Sequence, residues 1–255
     1  MLPYKLYFDR TKMIITSKDN ALIKKVYSLS DKKYRKIYGQ FIVESVKAVG
    51  ECIKAGMDID VIICTENVAE DFPEAQIVTD EVFSKISTEK SPQGVLAVVN
   101  TPKNELKAPE GNSLLLDRLQ DPGNLGTIIR TANAAGYEDI YLVNCTDAYS
   151  PKAIRASMGG VFNVKLYEVS LAEVLSVLDG VQILSADMDG EDVFSFVPKQ
   201  KICLCIGNEG KGLSDEIMAM SDRTVKIPMR DCCESLNAAI SAAIAMYALK
   251  NNQRR

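Results

Sequence analysis

Residues 202–214, ICLCIGNEGKGLS, decide how the second half of this chain is interpreted. The first five are all apolar, which is typical of a strand buried on both faces of a parallel sheet. Three glycines follow between Gly207 and Gly212, which indicates a loop whose backbone closely approaches a ligand. Neither the P-loop pattern G-x-x-x-x-G-K-[ST] nor the dinucleotide fingerprint G-x-G-x-x-G is completed here.

Apolar strand patterns alternate with helical patterns on both sides of this stretch. The alternation predicts an α/β domain with a parallel sheet that is covered on both faces. Ligands of such sheets bind beyond the carboxyl ends of the strands. Strands are predicted at 113–116, 140–143, 164–169, 183–186, 202–206 and 224–227, and helices at 125–135, 151–158, 171–178, 214–220 and 238–250.

The first hundred residues show a mixed α/β pattern of their own. Helices are predicted at 20–29 and 46–55, and short strands at 41–43, 61–64, 76–78 and 94–99. The polar stretch NTPKNELKAPEGN at 100–112 contains two prolines and no apolar periodicity, as linkers do. We therefore predict a small α/β domain at 1–100, a linker at 101–112 and a parallel-sheet domain at 113–255.

Charge is concentrated at one end of the chain. Residues 1–55 carry 12 Lys and Arg against 5 Asp and Glu, a net charge of +7, so the other 200 residues carry −11 of the total of −4. This asymmetry suggests a basic recognition surface, although a solvated helix face has the same composition. Tyrosines 27, 34 and 38 lie among the cations Lys24, Lys25, Lys32, Lys33, Arg35 and Lys36 and could stack on RNA bases.

Composition excludes several classes of function. The chain has no histidine, so a His-based triad, a His metal ligand and the usual pH switch are excluded. Its seven cysteines form no Cys-x-x-Cys pair, and we expect reduced thiols and no metal site. The apolar helix pattern at 238–249 is too short to span a bilayer, and residues 1–12 lack an apolar signal core. We expect a soluble, cytoplasmic protein without a membrane partner.

Two further loops carry polar residues at the predicted edge of the sheet. In 117–136, DRLQDPGNLGTIIRTANAAG, Asn124 is placed to cap the following helix, and Gly126 leaves room for a ligand or another backbone. Arg130 lies beside an apolar stripe, and taken alone this arrangement is more typical of an ordinary exposed arginine than of a functional one. In 228–237, PMRDCCESLN, Ser235 and Asn237 are either caps of the next helix or groups that contact a ligand.

In this order and spacing, the three loops resemble the SpoU/TrmH family of RNA ribose 2′-O-methyltransferases, part of the SPOUT superfamily. The loops carry the family's N-x-G-x-x-x-R, G-x-E-G-x-G and I-P-M…S-L-N motifs. Residues 20–24, 33–35, 41–44 and 92–95 resemble the family's N-terminal RNA substrate-binding domain. Ser45 departs from the pattern, where glycine is expected, as does the Cys232/Cys233 pair.

The resemblance implies a C-terminal domain with a trefoil knot, bound S-adenosylmethionine, an RNA substrate and a homodimer whose sites lie near the subunit interface. It implies that the cofactor is lined by Ile206, Gly207, Gly212, Ile227, Met229 and Leu236. It implies that the catalytic group comprises Asn124, Arg130, Glu209, Ser235 and Asn237. Ribosomal RNA is favoured as the substrate because the N-terminal recognition domain is large.

The implied reaction transfers a methyl group from a sulfonium to a ribose 2′-oxygen, a poor nucleophile that must lose a proton. Mechanisms proposed for the family give the role of base to the arginine, but a guanidinium is essentially always protonated. We therefore hypothesise that Arg130 holds the neighbouring phosphate and stabilises the developing oxyanion, with the substrate phosphate or a water as the base.

Three alternatives remain at this stage. The chain could be an RNA-binding protein without catalysis, against which the complete set of motif residues argues. It could be a nicotinamide-dependent oxidoreductase, against which the incomplete dinucleotide fingerprint argues. It could also be a ribose methyltransferase of the same family that acts on tRNA.

Overall fold

The computed structural model describes residues 13–232 and 235–253, so the N-terminal dodecapeptide and Cys233 lie outside the described residues. The described chain divides into two compact units. The first runs to Pro102 and includes Tyr149–Pro151, and the second comprises Lys103–Ala148 and the chain from Lys152 onward. Both units contain helices and strands, and the predicted α/β class is confirmed.

The first unit is a four-stranded sheet with helices packed against it. The strand order is β1-β4-β2-β3, with β1 and β2 antiparallel to β4 and with β3 parallel to β2. Its core joins apolar side chains of α1 and α4 to those of the sheet. The elements are α1 (Ala21–Ser28), α2 (Lys32–Tyr38), β1 (Gln40–Glu44), α3 (Val46–Lys54), β2 (Ile59–Thr65), β3 (Gln76–Val78), α4 (Asp80–Ile86) and β4 (Val95–Asn100).

Two helices of this unit, α2 and α4, were not predicted from the sequence. The α2 segment KKYRKIY has no apolar stripe, yet Asp31 caps its first turn and Gly39 ends it in a left-handed conformation. Arg35, counted among the surface cations, is instead buried in this helix. Its Nη1 donates to the carbonyl oxygens of Leu29 and Ser30, each at 2.7 Å, so Arg35 holds the turn between α1 and α2.

Two stretches that carried the resemblance, 41–44 and 92–95, meet in this unit. The backbone N–H of Ser45 donates to the carbonyl of Val95 at 3.2 Å. The next N–H along the chain donates to Gln93 Oε1 at 3.0 Å. Ser45 itself has a φ of 101° and forms the N-cap of α3, which explains why glycine would be expected there.

The second unit is a six-stranded parallel sheet with strand order β10-β8-β9-β5-β6-β7. The central strand β9 lies between β8 and β5, as its apolar sequence predicts. The elements are β5 (Ser113–Asp117), α5 (Pro122–Ala135), β6 (Asp139–Val143), α6 (Pro151–Ser157), β7 (Lys165–Glu168), α7 (Leu171–Leu175), β8 (Gln182–Asp192), β9 (Ile202–Ile206), α8 (Asp215–Met220), β10 (Arg223–Lys226) and α9 (Ala238–Asn252).

Helices cover both faces of this sheet, so the side chains of β9 are apolar at every position, as are the three middle residues of β5. Side chains alternate between faces, and Leu115, Cys203 and Cys205 share one cluster with Ile217 of α8. On α9, the carbonyl of Met246 accepts a hydrogen bond from Tyr137 Oη at 3.4 Å. The three-layer arrangement follows directly from the apolar strand sequences.

Several element boundaries differ from the predictions, those of β8 and α7 among them. β8 was predicted at 183–186 but extends to Asp192, because Glu191 and Asp192 pair with β10 after a register shift. α7 was predicted at 171–178 but ends at Leu175; Ser170 and Glu173 form a capping box at its start. The proposed linker residues from Lys103 onward contact the second unit, for example through Lys201 Nζ on the carbonyl of Pro109 at 3.0 Å.

Candidate functional site

The three loops selected from the sequence meet at the carboxyl edge of the second unit's sheet. β5 and β9 are parallel neighbours, with Leu116 opposite Ile206, so the loops that follow them leave the sheet side by side. The third loop follows β10 and leads into α9. Side chains from all three loops are joined by hydrogen bonds there.

A cavity of about 380 Å³ opens at this edge. This volume is within the range of small-molecule sites. Two of the residues predicted as catalytic, Glu209 and Ser235, line the cavity. All six residues predicted to bind a cofactor also line it: Ile206, Gly207, Gly212, Ile227, Met229 and Leu236.

One wall of the cavity was not predicted from the sequence. Ala186, Asp187 and Met188 from β8 line it, together with Val193. The signal was available, because Asp187 comes directly after a predicted strand and the carboxyl ends of parallel strands share one edge. The carboxylate of Asp187 adds negative charge to a wall that is otherwise largely apolar.

Gly207 is required by the shape of the loop that walls the cavity. A Cβ on this residue would lie 2.3 Å from the backbone carbon of Gly212 and 2.4 Å from the nitrogen of Leu213. The backbone of Asn208 exchanges two hydrogen bonds with that of Gly212, each at 3.0 Å. The loop therefore folds tightly back on itself and presents backbone to the cavity.

A polarised chain of hydrogen bonds runs along the cavity edge. Asn237 caps α9: its Oδ1 accepts from the N–H groups of Ala239 at 2.9 Å and Ile240 at 3.3 Å. Its Nδ2 is thereby turned towards Asn124 Oδ1, to which it donates at 3.0 Å. Asn124 Nδ2 in turn donates to Glu209 Oε1 at 2.9 Å.

This arrangement fixes what each group can do. The helix cap sets the orientation of the Asn237 amide, and that orientation sets the amide of Asn124. Glu209 must therefore accept at Oε1, while its Oε2 bonds to no other described residue. The cavity edge thus carries a held carboxylate with one oxygen available to a ligand or substrate.

The role of Asn124 as a helix cap was predicted wrongly. Asp121 is the N-cap of α5; it accepts from Asn124 N, and Pro122 occupies the first turn. A hydrogen bond from Lys152 at 2.6 Å, followed by that from the Asn124 backbone, lowers the pKa of Asp121. Because Asp121 takes the cap, the Asn124 side chain is free to join Glu209 and Asn237.

Gly126 leaves room for a backbone. A Cβ there would lie 2.3 Å from the carbonyl oxygen of Ala153, so α5 and α6 pack in direct backbone contact. The segment after α6 packs further along α5, where a Cβ on Gly160 would lie 2.9 Å from the Cα of Arg130. Residues 153–160 therefore support the helix that carries Asn124 and Arg130.

Arg130 is not brought together with the other predicted catalytic residues. It lies on the exposed side of α5, and its side chain makes no hydrogen bond or ion pair with any described residue. It does not line the cavity, whereas Glu209 and Ser235 do. Within one chain, the site therefore contains a carboxylate–amide network and a separate, solvent-facing guanidinium.

The first unit carries exposed aromatic and basic side chains on α1 and α2. Tyr34 and Tyr38 stack with ring centroids 6.3 Å apart and are 37% and 45% exposed. Lys33 lies 5.7 Å from the ring of Tyr34, and Lys25 lies 5.7 Å from that of Tyr38. Lys25 also pairs with Asp60 at 3.1 Å, so part of the positive charge is neutralised locally.

Three other features bear on the type of site. No cluster of three or more potential metal-ligating side chains occurs in the part of the chain that the structure describes. Among the same residues, no helix combines the length and apolar character that crossing a bilayer requires. Burial raises the pKa of the Cys145 thiol to about 12 and that of Cys52 to about 11, so neither is an effective nucleophile near neutral pH.

Comparison with known proteins gives consistent matches over both units. A model of the SpoU rRNA Methylase family matches residues 111–247, and one of the MRM3-like substrate binding domain matches residues 20–97. The chain is 30% identical to the Bacillus subtilis protein named 23S rRNA (guanosine(2553)-2'-O)-methyltransferase RlmP, over 92% of this chain and 98% of that one.

Solved structures agree with these matches. The AdoMet-bound rRNA methyltransferase from Sinorhizobium meliloti superposes with a TM-score of 0.83 at 29% identity, over 92% of this chain and 96% of that one. The SpoU methyltransferase AviRb from Streptomyces viridochromogenes in complex with AdoMet gives a TM-score of 0.83 at 27% identity, over 92% and 98% of the two chains.

Proposed function

Because the chain belongs to the SpoU rRNA methylase family, we propose that it is an S-adenosylmethionine-dependent enzyme that methylates a ribose 2′-hydroxyl of RNA, with ribosomal RNA favoured. The observation that carries this proposal is the cavity edge itself. There Asn237 and Asn124 hold the Glu209 carboxylate beside a pocket of about 380 Å³.

The chemistry of the cavity fits this cofactor. Ile206 and Leu236 offer apolar surface to a purine ring, and the tight loop after Gly207 offers backbone groups. The carboxylates of Asp187 and Glu209 suit a ligand with a positively charged sulfonium. When bound there, S-adenosylmethionine supplies the methyl group that the ribose 2′-oxygen accepts. We propose that Ile206, Gly207, Gly212, Ile227, Met229 and Leu236 hold it.

We assign positioning of the ribose hydroxyl to the network at the cavity edge. Glu209 accepts a hydrogen bond from the substrate at its available oxygen, while Asn124 keeps the carboxylate in place. Ser235, on the same cavity, offers a further hydroxyl. Holding the hydroxyl in line for attack removes much of the entropic part of the barrier.

In this proposal, Arg130 acts through its positive charge. A guanidinium stays protonated, so it binds the phosphate beside the target ribose and stabilises the developing oxyanion. The base is the substrate phosphate or a water. An Arg130→Lys variant tests this: we expect a large loss of activity with the basic limb of the pH–rate profile unmoved. Retained activity with a shifted basic limb would show instead that the arginine is the base.

A homodimer would account for the separation of Arg130 from the cavity. α9 is apolar all round: Ala242 and Met246 are fully buried, but Ile240 and Tyr247 on the opposite side are 53% and 49% exposed. A second copy packed on this face would cover them. We propose that each site takes its arginine from the partner subunit and that the chain around the cavity forms the family's trefoil knot.

Mixed dimers test this arrangement. Arg130→Ala and Glu209→Ala chains are each inactive, but a dimer with one of each has one intact site if the arginine crosses the interface. Random reassociation then restores about a quarter of wild-type activity. If the mixture remains as inactive as the unmixed variants, the arginine acts within its own subunit.

The first unit is the proposed RNA-binding part. The basic composition of residues 1–55 and the exposed pair Tyr34 and Tyr38 support contact with backbone phosphates and unstacked bases. We propose domain boundaries of 1–100 and 113–255 with a linker at 101–112, supported by the ranges of the two family models. A cytoplasmic location agrees with the unpaired described cysteines.

The decisive experiment uses methyl-labelled S-adenosylmethionine with unmodified ribosomal RNA and, separately, tRNA, followed by alkaline hydrolysis. A 2′-O-methyl group blocks cleavage at its own linkage, so label in dinucleotides from ribosomal RNA supports the proposal. Label from tRNA alone would change the substrate class, and label in mononucleotides would mean base methylation. A failure to bind the cofactor would favour a non-catalytic RNA-binding protein.

A further inference from the structure

Two residues at the end of β5, to which the sequence analysis gave no role, hold the loop that walls the cavity. Asp117 is buried, and its Oδ2 accepts from the backbone N–H of Ser214 at 2.8 Å. Ser214 is the residue where the loop ends and α8 begins. The same carboxylate accepts from Arg118 Nε, at 3.1 Å from each oxygen.

Arg118 ties down the rest of the loop. Its carbonyl oxygen accepts from Asn208 Nδ2 at 2.9 Å, and its Nη2 donates to the carbonyl of Gly212 at 3.4 Å. Asn208 Oδ1 in turn accepts from the N–H groups of Gly210 at 3.0 Å and Lys211 at 3.1 Å. Both ends of the Gly-rich loop are therefore anchored on one dipeptide.

The backbone of Arg118 is strained. Its φ is 55°, in the left-handed region that glycine enters freely and that a long side chain rarely adopts. Strain of this kind persists where the surrounding structure over-determines it, and it concentrates at functional sites. A glycine here would relieve the strain but would have no guanidinium to pair with Asp117 or to reach Gly212.

We propose that Asp117 and Arg118 are positioning residues that preset the shape of the loop 207–214 for the cofactor. They touch neither cofactor nor substrate in this proposal; they act through the loop whose Gly207, Asn208 and Glu209 line the cavity. The inference rests on the proposed function for the identity of the ligand. The mechanical link between β5 and the loop is independent of the proposed function.

The test compares Arg118→Gly with Asn144→Gly. Asn144 also has a positive φ, 52°, and lies just past β6, the strand next to β5. Asn144 makes no hydrogen bond with the loop. Both substitutions permit the left-handed conformation, but only the first removes contacts with the loop. We expect Arg118→Gly to shift the unfolding midpoint by no more than about 4 °C in either direction, because relief of the backbone strain offsets the loss of the partner of Asp117.

The same variant should weaken binding of S-adenosylmethionine, measured by titration calorimetry, by about tenfold. The KM for the cofactor should rise with it, while kcat at saturating cofactor changes little. Arg118→Lys keeps the charge without the planar fork and should be intermediate. Asn144→Gly should bind the cofactor as the wild type does.

Hydrogen exchange separates this inference from the proposed function. In the absence of any ligand, Arg118→Gly should speed exchange of the amides of Asn208, Gly212 and Ser214, and Asn144→Gly should not. Unchanged exchange with unchanged cofactor affinity would overturn the inference, as would loss of the fold in Arg118→Gly. If Arg118→Gly exchanges faster but the wild-type protein does not bind S-adenosylmethionine, the positioning role is supported and the proposed cofactor is rejected.

Discussion

Ser45 provides the sharpest test of how local geometry stabilises the first unit. Its φ of 101° and ψ of 150° lie in a region that L-residues rarely occupy, and such strain costs about 1–3 kcal/mol. In compensation, its Oγ accepts from the N–H of Ala48 at 3.2 Å and caps α3. The position therefore combines an unfavourable backbone with a favourable side chain.

Glycine and alanine separate these two contributions. Ser45→Gly relieves the strain, loses a few tenths of a kcal/mol of capping and adds about 0.4–1 kcal/mol of unfolded-chain entropy. The net expectation is a gain of about 1 kcal/mol in the free energy of unfolding. Ser45→Ala keeps the strain and loses the cap, which destabilises by about 1 kcal/mol. The two variants should therefore differ by about 2 kcal/mol and in opposite directions.

Hydrogen exchange followed by mass spectrometry is the appropriate assay, because a chain of two compact units need not unfold in one step. Peptides that cover β1 and β4 should exchange about fivefold more slowly in Ser45→Gly. RNA binding should be unchanged, because the Ser45 hydroxyl is engaged with its own helix. If Ser45→Gly exchanges as fast as Ser45→Ala, the strain at this position has been misjudged.

Three further predictions concern two helical glycines, the cavity edge and the thiols. Gly126→Ala should lower the free energy of unfolding, measured by chemical denaturation, by about 2 kcal/mol because its Cβ would meet the α6 backbone. Gly50 is also helical but has open space around it, so Gly50→Ala should raise the free energy of unfolding by up to about 1 kcal/mol. Glu209→Gln should reduce methyl transfer at least tenfold. Because Glu209 is exposed, the unfolding midpoint should not change. Activity equal to that of the wild type would show that the charge of Glu209 has no part in the mechanism. With a thiol reagent near neutral pH, peptide mapping should find the exposed Cys232 modified before Cys145, which its raised pKa and partial burial protect; the reverse order would contradict the raised pKa of Cys145.

The amino-acid sequence was enough to predict the parallel sheet of the second unit and part of the wall of its cavity. An apolar run of five residues that ends in a glycine-rich loop, such as 202–206, is typical of a central strand, whose side chains are covered on both faces. In a parallel sheet the carboxyl ends of the strands share one edge, so the loops at 207–214 and 228–237 are expected at that same edge. The six predicted cofactor residues line one cavity for this reason.

Which polar groups pair became apparent only from the packed structure. Asn124 was expected to cap α5, yet Asp121 takes the cap and Asn124 bonds to Glu209, 85 residues away, and to Asn237, 113 residues away. Arg35 was predicted to be a surface cation, but it is buried and donates hydrogen bonds to two backbone carbonyls. Periodicity reports which face of an element is apolar. A hydrogen bond depends on the positions of two atoms, and those positions are set only when the elements that carry them have packed.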